Sequence, residues 1–168
     1  MLTFSADSEK FRYTVQDFPY DEQSAFAAIG HQLQLNKYKS EGDVSGAAIR
    51  HEIVDFMSKR KSLKDYISEQ LEEGGMDNVQ KYFDHMAKDS TPADVTSLFV
   101  ASLLYKVRIT IYYNISTEGN FRRGVDVGSW YTRNRGVHLG LVSRTEDEPA
   151  THFVSLVPSA GMIRHRAK

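Results

Sequence analysis

Between Tyr105 and Val107 the apolar residues of this chain change their period, and that change limits what the chain can fold into. Up to Tyr105 they recur at helical spacing; from Val107 they alternate. Phe26, Ile29 and Leu33 mark the buried stripe of a helix over 23–34. Ile49, Ile53, Phe56 and Met57 do the same over 46–58, with Asp43 or Ser45 as the cap. Ser62 and Asp65 read as a capping box opening a helix through Leu71, and Gly74-Gly75 ends it. Asp77 and Gln80 open a helix carrying Val79, Phe83 and Met86. Thr91-Pro92-Ala93-Asp94, with Thr91 as N-cap, starts one that ends near Tyr105. Then Val107, Ile109, Ile111 and Tyr113 face one way and Arg108, Thr110 and Tyr112 the other, as in a strand. Stretches 121–127, 137–142 and 152–157 are further strands, and Phe11, Tyr13 and Val15 give an early one. The order strand, helices, strands specifies an α+β fold (α/β in type), a small, mainly central β-sheet flanked by helices.

The 168 residues suit one domain over 1–168, with a core at about 11–157, a short polar N-terminus and a basic tail at Arg164–Lys168. Twenty-one basic against 22 acidic residues leave no basic excess, so no nucleic-acid partner is expected. There is no membrane-spanning run and no signal-peptide pattern. The absence of cysteine rules out disulfides and thiolate metal sites. It fits a reducing, intracellular and cytoplasmic setting. The histidines lack ligand spacing, so no metal and no cofactor are expected. Oligomeric state is open.

Ser24 stands where the acidic stretch Asp21-Glu22-Gln23 turns into an apolar, helix-prone run. A hydroxyl there gains from free backbone N–H groups and the positive end of the helix dipole. His152, in the strand-like Thr151-His152-Phe153-Val154-Ser155-Leu156, is a candidate base, and Asp21 a supporting carboxylate. A serine in this position is in most chains a helix cap, and a strand histidine is most often structural. The residues alone leave both readings open.

The ordered set of motifs resembles the ovarian-tumour (OTU) family of deubiquitinating cysteine proteases, whose fold is related to papain. The family's Asp-Gly-Asn-Cys-x-Phe reads here Asp21-Glu22-Gln23-Ser24-Ala25-Phe26, followed by Gln32-Leu33. Ile49-Arg50 with Val54-Asp55-Phe56-Met57, then Tyr82–Met86, then Pro92-Ala93-Asp94 follow in order. So do the strand from Tyr105 to Tyr112 and His152-Phe153-Val154-Ser155-Leu156.

The resemblance implies ubiquitin or a ubiquitin-like protein as partner and catalytic positions at Ser24, His152 and Asp21. It also implies an oxyanion loop of Asp21, Glu22, Gln23 and Ser24, and a substrate channel near Phe153 and Trp130. Three positions depart from the pattern: Ser24 for the nucleophilic cysteine, Glu22 for glycine, and Val154 where many members carry Asn or Asp to orient the imidazole. Serine needs a well-formed base and oxyanion hole, a carboxylate repels a developing oxyanion, and valine cannot orient a ring. The expectation is therefore a deubiquitinase-fold domain that binds ubiquitin or another protein partner without cutting it. The alternatives are an active thiol isopeptidase whose cysteine has been exchanged for serine, a serine hydrolase using Ser24 and His152, and a non-catalytic scaffold. If the ring is oriented at all, Glu146, Asp147 and Glu148 are the expected candidates.

Overall fold

A computed structural model describes residues 3–5, 12–114, 121–128, 134–143 and 147–158. The chain runs β1 (Thr3–Ser5), β2 (Arg12–Gln16), α1 (Ser24–Leu35), α2 (Gly46–Ser58), α3 (Lys61–Gln70), α4 (Met76–Met86) and α5 (Val95–Tyr105). It then forms β3 (Arg108–Asn114), β4 (Phe121–Val127), β5 (Gly136–Val142) and β6 (His152–Pro158). The period change at 105–107 is the boundary between helices and sheet.

The strands make one sheet in the order β1-β2-β6-β5-β3-β4. Only β3 and β5 pair in parallel; the other neighbours are antiparallel. The polar N-terminus, expected to fray, supplies β1, which covers the edge of β2. Phe26, Ile29 and Leu33 of α1, Ile49, Ile53 and Met57 of α2, and Leu98 and Ala101 of α5 pack with Ile109, Val137 and Leu139 of the sheet in the main core. A second cluster, Tyr13, Tyr112, Val154 and Leu156, occupies the face that alternation gives to the even-numbered residues of β6.

Several local expectations change. Ser45 does cap α2, accepting from the Ala48 N–H, while Asp43 accepts from the Ser45 N–H. The Ser62–Asp65 box is not formed: α3 starts at Lys61 behind Arg60, without a side-chain cap. Thr91 is not the cap of α5 either. Asp94 is, in a capping box with Ser97, and the buried Thr91 hydroxyl donates to the His85 carbonyl instead. Alternation in β3 holds through Ile111 and then breaks. A register shift between Ile111 and Tyr112 leaves Tyr113 exposed, its ring lying over Gly124, where any β-carbon would collide with it.

Candidate active site

Ser24 is the first residue of α1; the cap position belongs to Gln23, whose side chain makes no capping bond. Two contacts fix where this helix start sits. Gln32, buried two turns on, donates through its amide to the His138 carbonyl and the Ser155 hydroxyl and accepts from the His138 N–H at 2.7 Å. It thereby pins α1 against β5 and β6. At the start of β6, the Phe153 N–H donates to the Ser24 hydroxyl at 3.1 Å. The start of α1 and the start of β6, far apart in sequence, therefore meet where Ser24 touches Phe153, the neighbour of His152.

His152 is 3% exposed. Its Nε2 lies 2.7 Å from Asp17 Oδ1, and its ring stacks on Tyr20 at 3.8 Å between centroids. The carboxylate against the ring is thus that of Asp17, in the loop between β2 and α1. The expected candidates do not serve: Asp147 and Glu148 are exposed and make no bond to the ring among the described residues, and Glu146 lies outside them. Val154 packs in the second cluster, as an apolar residue should, and the orienting group arrives from another element. A carboxylate accepting from Nε2–H leaves Nδ1 with its lone pair. That Nδ1 is buried and has no hydrogen-bond partner among the described residues.

The loop before Ser24 closes on itself. Asp21 Oδ1 accepts from the Gln23 N–H at 2.9 Å, and the Asp21 carbonyl accepts from the Ser24 N–H at 3.4 Å. Asp21 orders the turn, and it is not the group beside His152. Behind the loop sits Arg50, 2% exposed, with its guanidinium 4.5 Å from the Phe26 ring centroid. It donates to the Glu22 carbonyl, the Gln23 side chain, and the Met86 and Thr91 carbonyls at 2.6–2.9 Å. Burial pushes its pKa down, against the opposing pull of the Asp89, Glu22 and Asp21 carboxylates. Burial likewise lowers the pKa of His31, whose Nδ1 is 2.9 Å from the Ser155 hydroxyl.

Ser24 opens into a cleft of about 240 Å³ whose walls include Glu22, Pro92, Ala93, Leu141, Thr151 and Phe153. Phe153 lines this cleft, whereas Trp130 lies outside the described residues. No group of three or more His, Asp or Glu suited to a metal occurs among the described residues. No described helix is long and apolar enough to cross a membrane.

No family model and no curated protein matches the sequence. Solved structures do. The OTU domain protease of Dera Ghazi Khan virus superposes with a TM-score of 0.63 at 13% identity, over 94% of this chain and 86% of that one. The chain has the OTU fold. The Hazara virus OTU bound to ubiquitin gives 0.61 at 14% identity, over 95% and 87% of the two chains. An OTU deubiquitinase from Wolbachia pipientis wMel bound to ubiquitin gives 0.59 at 14%, over 86% and 95%.

Sequence reasoning missed Asp17 beside His152, and it noted Arg50 only as part of the Ile49-Arg50 motif, without its contacts to the loop before Ser24. Arg50 had a signal, an arginine among the apolar positions of an amphipathic helix. Asp17 had only its place just before the nucleophile loop.

Proposed function

We propose that this OTU-fold chain binds the C-terminal tail of ubiquitin or a ubiquitin-like protein in the cleft at Ser24 and does not hydrolyse it. The observation that carries this reading is the pairing around the nucleophile position. In a serine hydrolase the base accepts a hydrogen bond from the attacking hydroxyl. Here the Ser24 hydroxyl is held by the Phe153 N–H, and His152 Nδ1 has no partner among the described residues. The Gln23 and Ser24 N–H groups, which an oxyanion would need, are turned to Asp21. Three solved relatives in fold carry ubiquitin in their descriptions, which supports ubiquitin as the kind of ligand.

A second reading is favoured by the 2.7 Å contact between Asp17 and His152. With that pair in place, Nδ1 could take the Ser24 proton as Oγ attacks an isopeptide carbonyl. The imidazolium would return the proton to the leaving amine, and water would then hydrolyse the ester.

The deciding experiment incubates the chain with mono- and di-ubiquitin and follows binding by calorimetry and cleavage by gel. Saturable binding without cleavage is expected, in the chain as it stands and in Ser24→Ala. Cleavage that Ser24→Ala abolishes would establish the second reading. Cleavage appearing only in Ser24→Cys would identify a thiol isopeptidase site that lacks its nucleophile. Absence of binding altogether would leave a scaffold and overturn the tail-binding reading.

A further inference from the structure

We infer that the cleft at Ser24 discriminates between tails by the charge of their last group: it accepts an amide-linked tail and rejects one ending in a free carboxylate, and Glu22 makes the distinction. The inference rests on the tail-binding reading above and gives it a ligand class, conjugates in preference to free modifier.

Glu22 is exposed and lines the cleft beside Ser24 and Phe153. Its main-chain carbonyl is turned inward, 2.9 Å from Arg50 Nη2, so the side chain is what the residue offers to the cleft. Glu22 forms no ion pair among the described residues. The cation packed against this loop, Arg50, is buried behind it, and its donors go to carbonyl and amide oxygens. The other charged groups near Ser24 do not offset this carboxylate. Asp21 is a second anion, already accepting from the Gln23 N–H, and His152 is paired through Nε2 with Asp17.

A helix N-terminus ordinarily attracts an anion through its free N–H groups. At this one the loop's own donors are taken, Gln23 N–H by Asp21 Oδ1 and Ser24 N–H by the Asp21 carbonyl, and the two N–H groups left in the first turn belong to the buried Ala25 and Phe26. The group that faces a ligand beside Ser24 is the exposed Glu22 carboxylate, while the Arg50 charge that pulls on it stays buried behind the loop. An extended tail that placed its last carbonyl at Ser24 would bring that group close to Glu22. As an amide the group is neutral; as a free C-terminus it carries a full negative charge. For like charges about 6 Å apart, the penalty ranges from about threefold in water-like surroundings to about a hundredfold at a protein-like dielectric. A partly open cleft lies between, at about tenfold, and salt narrows the difference.

The test titrates the full chain with ubiquitin bearing its native C-terminal carboxylate and with ubiquitin joined through that terminus to a lysine by an isopeptide bond. The isopeptide form should bind about tenfold more tightly at low ionic strength, with a smaller ratio at high salt. Glu22→Gln should bring the two within about twofold of each other by strengthening the carboxylate form. Equal affinities in the unmodified chain would overturn the inference and leave tail binding standing; no binding of either form would overturn both.

A second measurement needs no ubiquitin. In Ser24→Cys, the ratio of alkylation rates by neutral iodoacetamide and anionic iodoacetate should exceed that of free cysteine by about tenfold. Adding Glu22→Gln should restore the free-cysteine ratio. A ratio equal to that of free cysteine in Ser24→Cys itself would refute anion exclusion at this position.

Discussion

Asp17 and His152 stand 135 positions apart, and their contact decides what the imidazole at this site can do. With Nε2–H donating to Asp17, the lone pair sits on Nδ1, the nitrogen left without a partner. The Phe18 N–H donates to the same Asp17 oxygen at 2.8 Å, so the carboxylate is itself held in place. Asp17→Asn could instead donate its amide N–H to Nε2, which moves the ring proton to Nδ1 and abolishes the base. In a Ser24→Cys background, reaction with a ubiquitin-based electrophilic probe should therefore fall by about a hundredfold or more in Asp17→Asn. The same substitution at Asp147 should leave the rate unchanged. An Asp17→Asn rate equal to that of its parent would remove Asp17 from the site. None of this was legible in the sequence: Asp17 follows a short strand like any polar loop residue, and only the pairing of β2 with β6 sets it against His152. Ser24 and His152 were legible because each lies in a motif whose neighbours keep their order. Glu22 was legible as a departure, and its consequence follows from where the cleft lies.

At the level of elements, helices and strands followed from period, and their ends did not. Arg50 shows why a residue can be seen in a motif without its role being seen. On an amphipathic helix it reads as a polar interruption, yet it satisfies oxygens from two loops that never touch in sequence. Glu22 and Gln23 belong to the loop before Ser24; Met86 ends α4, and Thr91 belongs to the connection to α5 that continues into Pro92 and Ala93, which also line the cleft. One guanidinium thus ties both walls together. A lysine has three donors on a single atom and cannot span these acceptors, and a methionine has none. Each buried carbonyl left without a donor costs about 1–3 kcal/mol, less whatever water restores. Arg50→Lys and Arg50→Met should both lower unfolding free energy by about 3 kcal/mol in urea titrations. Amide exchange should accelerate together in 21–24 and 86–93. A loss confined to one loop would mean that the two walls are held independently. The close approach of α1 to the loop before α2 has a plainer cause, since Gly30 faces the Val44 carbonyl with no room for a β-carbon.

Across the whole molecule the sequence specified the layers but not the strand order, because pairing β2 with β6 and β3 with β5 depends on contacts between distant segments. The helical layer is joined by two phenols whose chemistry predicts how the fold fails at high pH. The Tyr82 hydroxyl donates to both oxygens of Asp94 at 3.0 and 3.1 Å, linking α4 to the cap of α5. The Tyr105 hydroxyl donates to Glu52 Oε2 at 2.6 Å, linking α5 to α2. Burial, reinforced by the Asp94 carboxylate, drives the pKa of Tyr82 well above the ordinary phenol range; burial and the bond to Glu52 do the same for Tyr105. In the unfolded chain both phenols ionise near pH 10. Above that pH the unfolded state gives up protons that the folded state keeps, so fewer protons are bound on unfolding and stability falls as pH rises. Below pH 10 the stabilisation is fully present. Each phenol adds a slope of up to about 1.4 kcal/mol per pH unit. Urea titrations at pH 8, 10 and 11 should show a decline between the last two that Tyr82→Phe combined with Tyr105→Phe reduces by about 2 kcal/mol. At pH 8 the double variant should be weaker than the parent by about 2 kcal/mol, from two lost hydrogen bonds to charged acceptors. The two chains should therefore approach the same stability near pH 11. Parallel curves would show that these phenols ionise alike in both states and contribute no pH-linked stability to the helical layer.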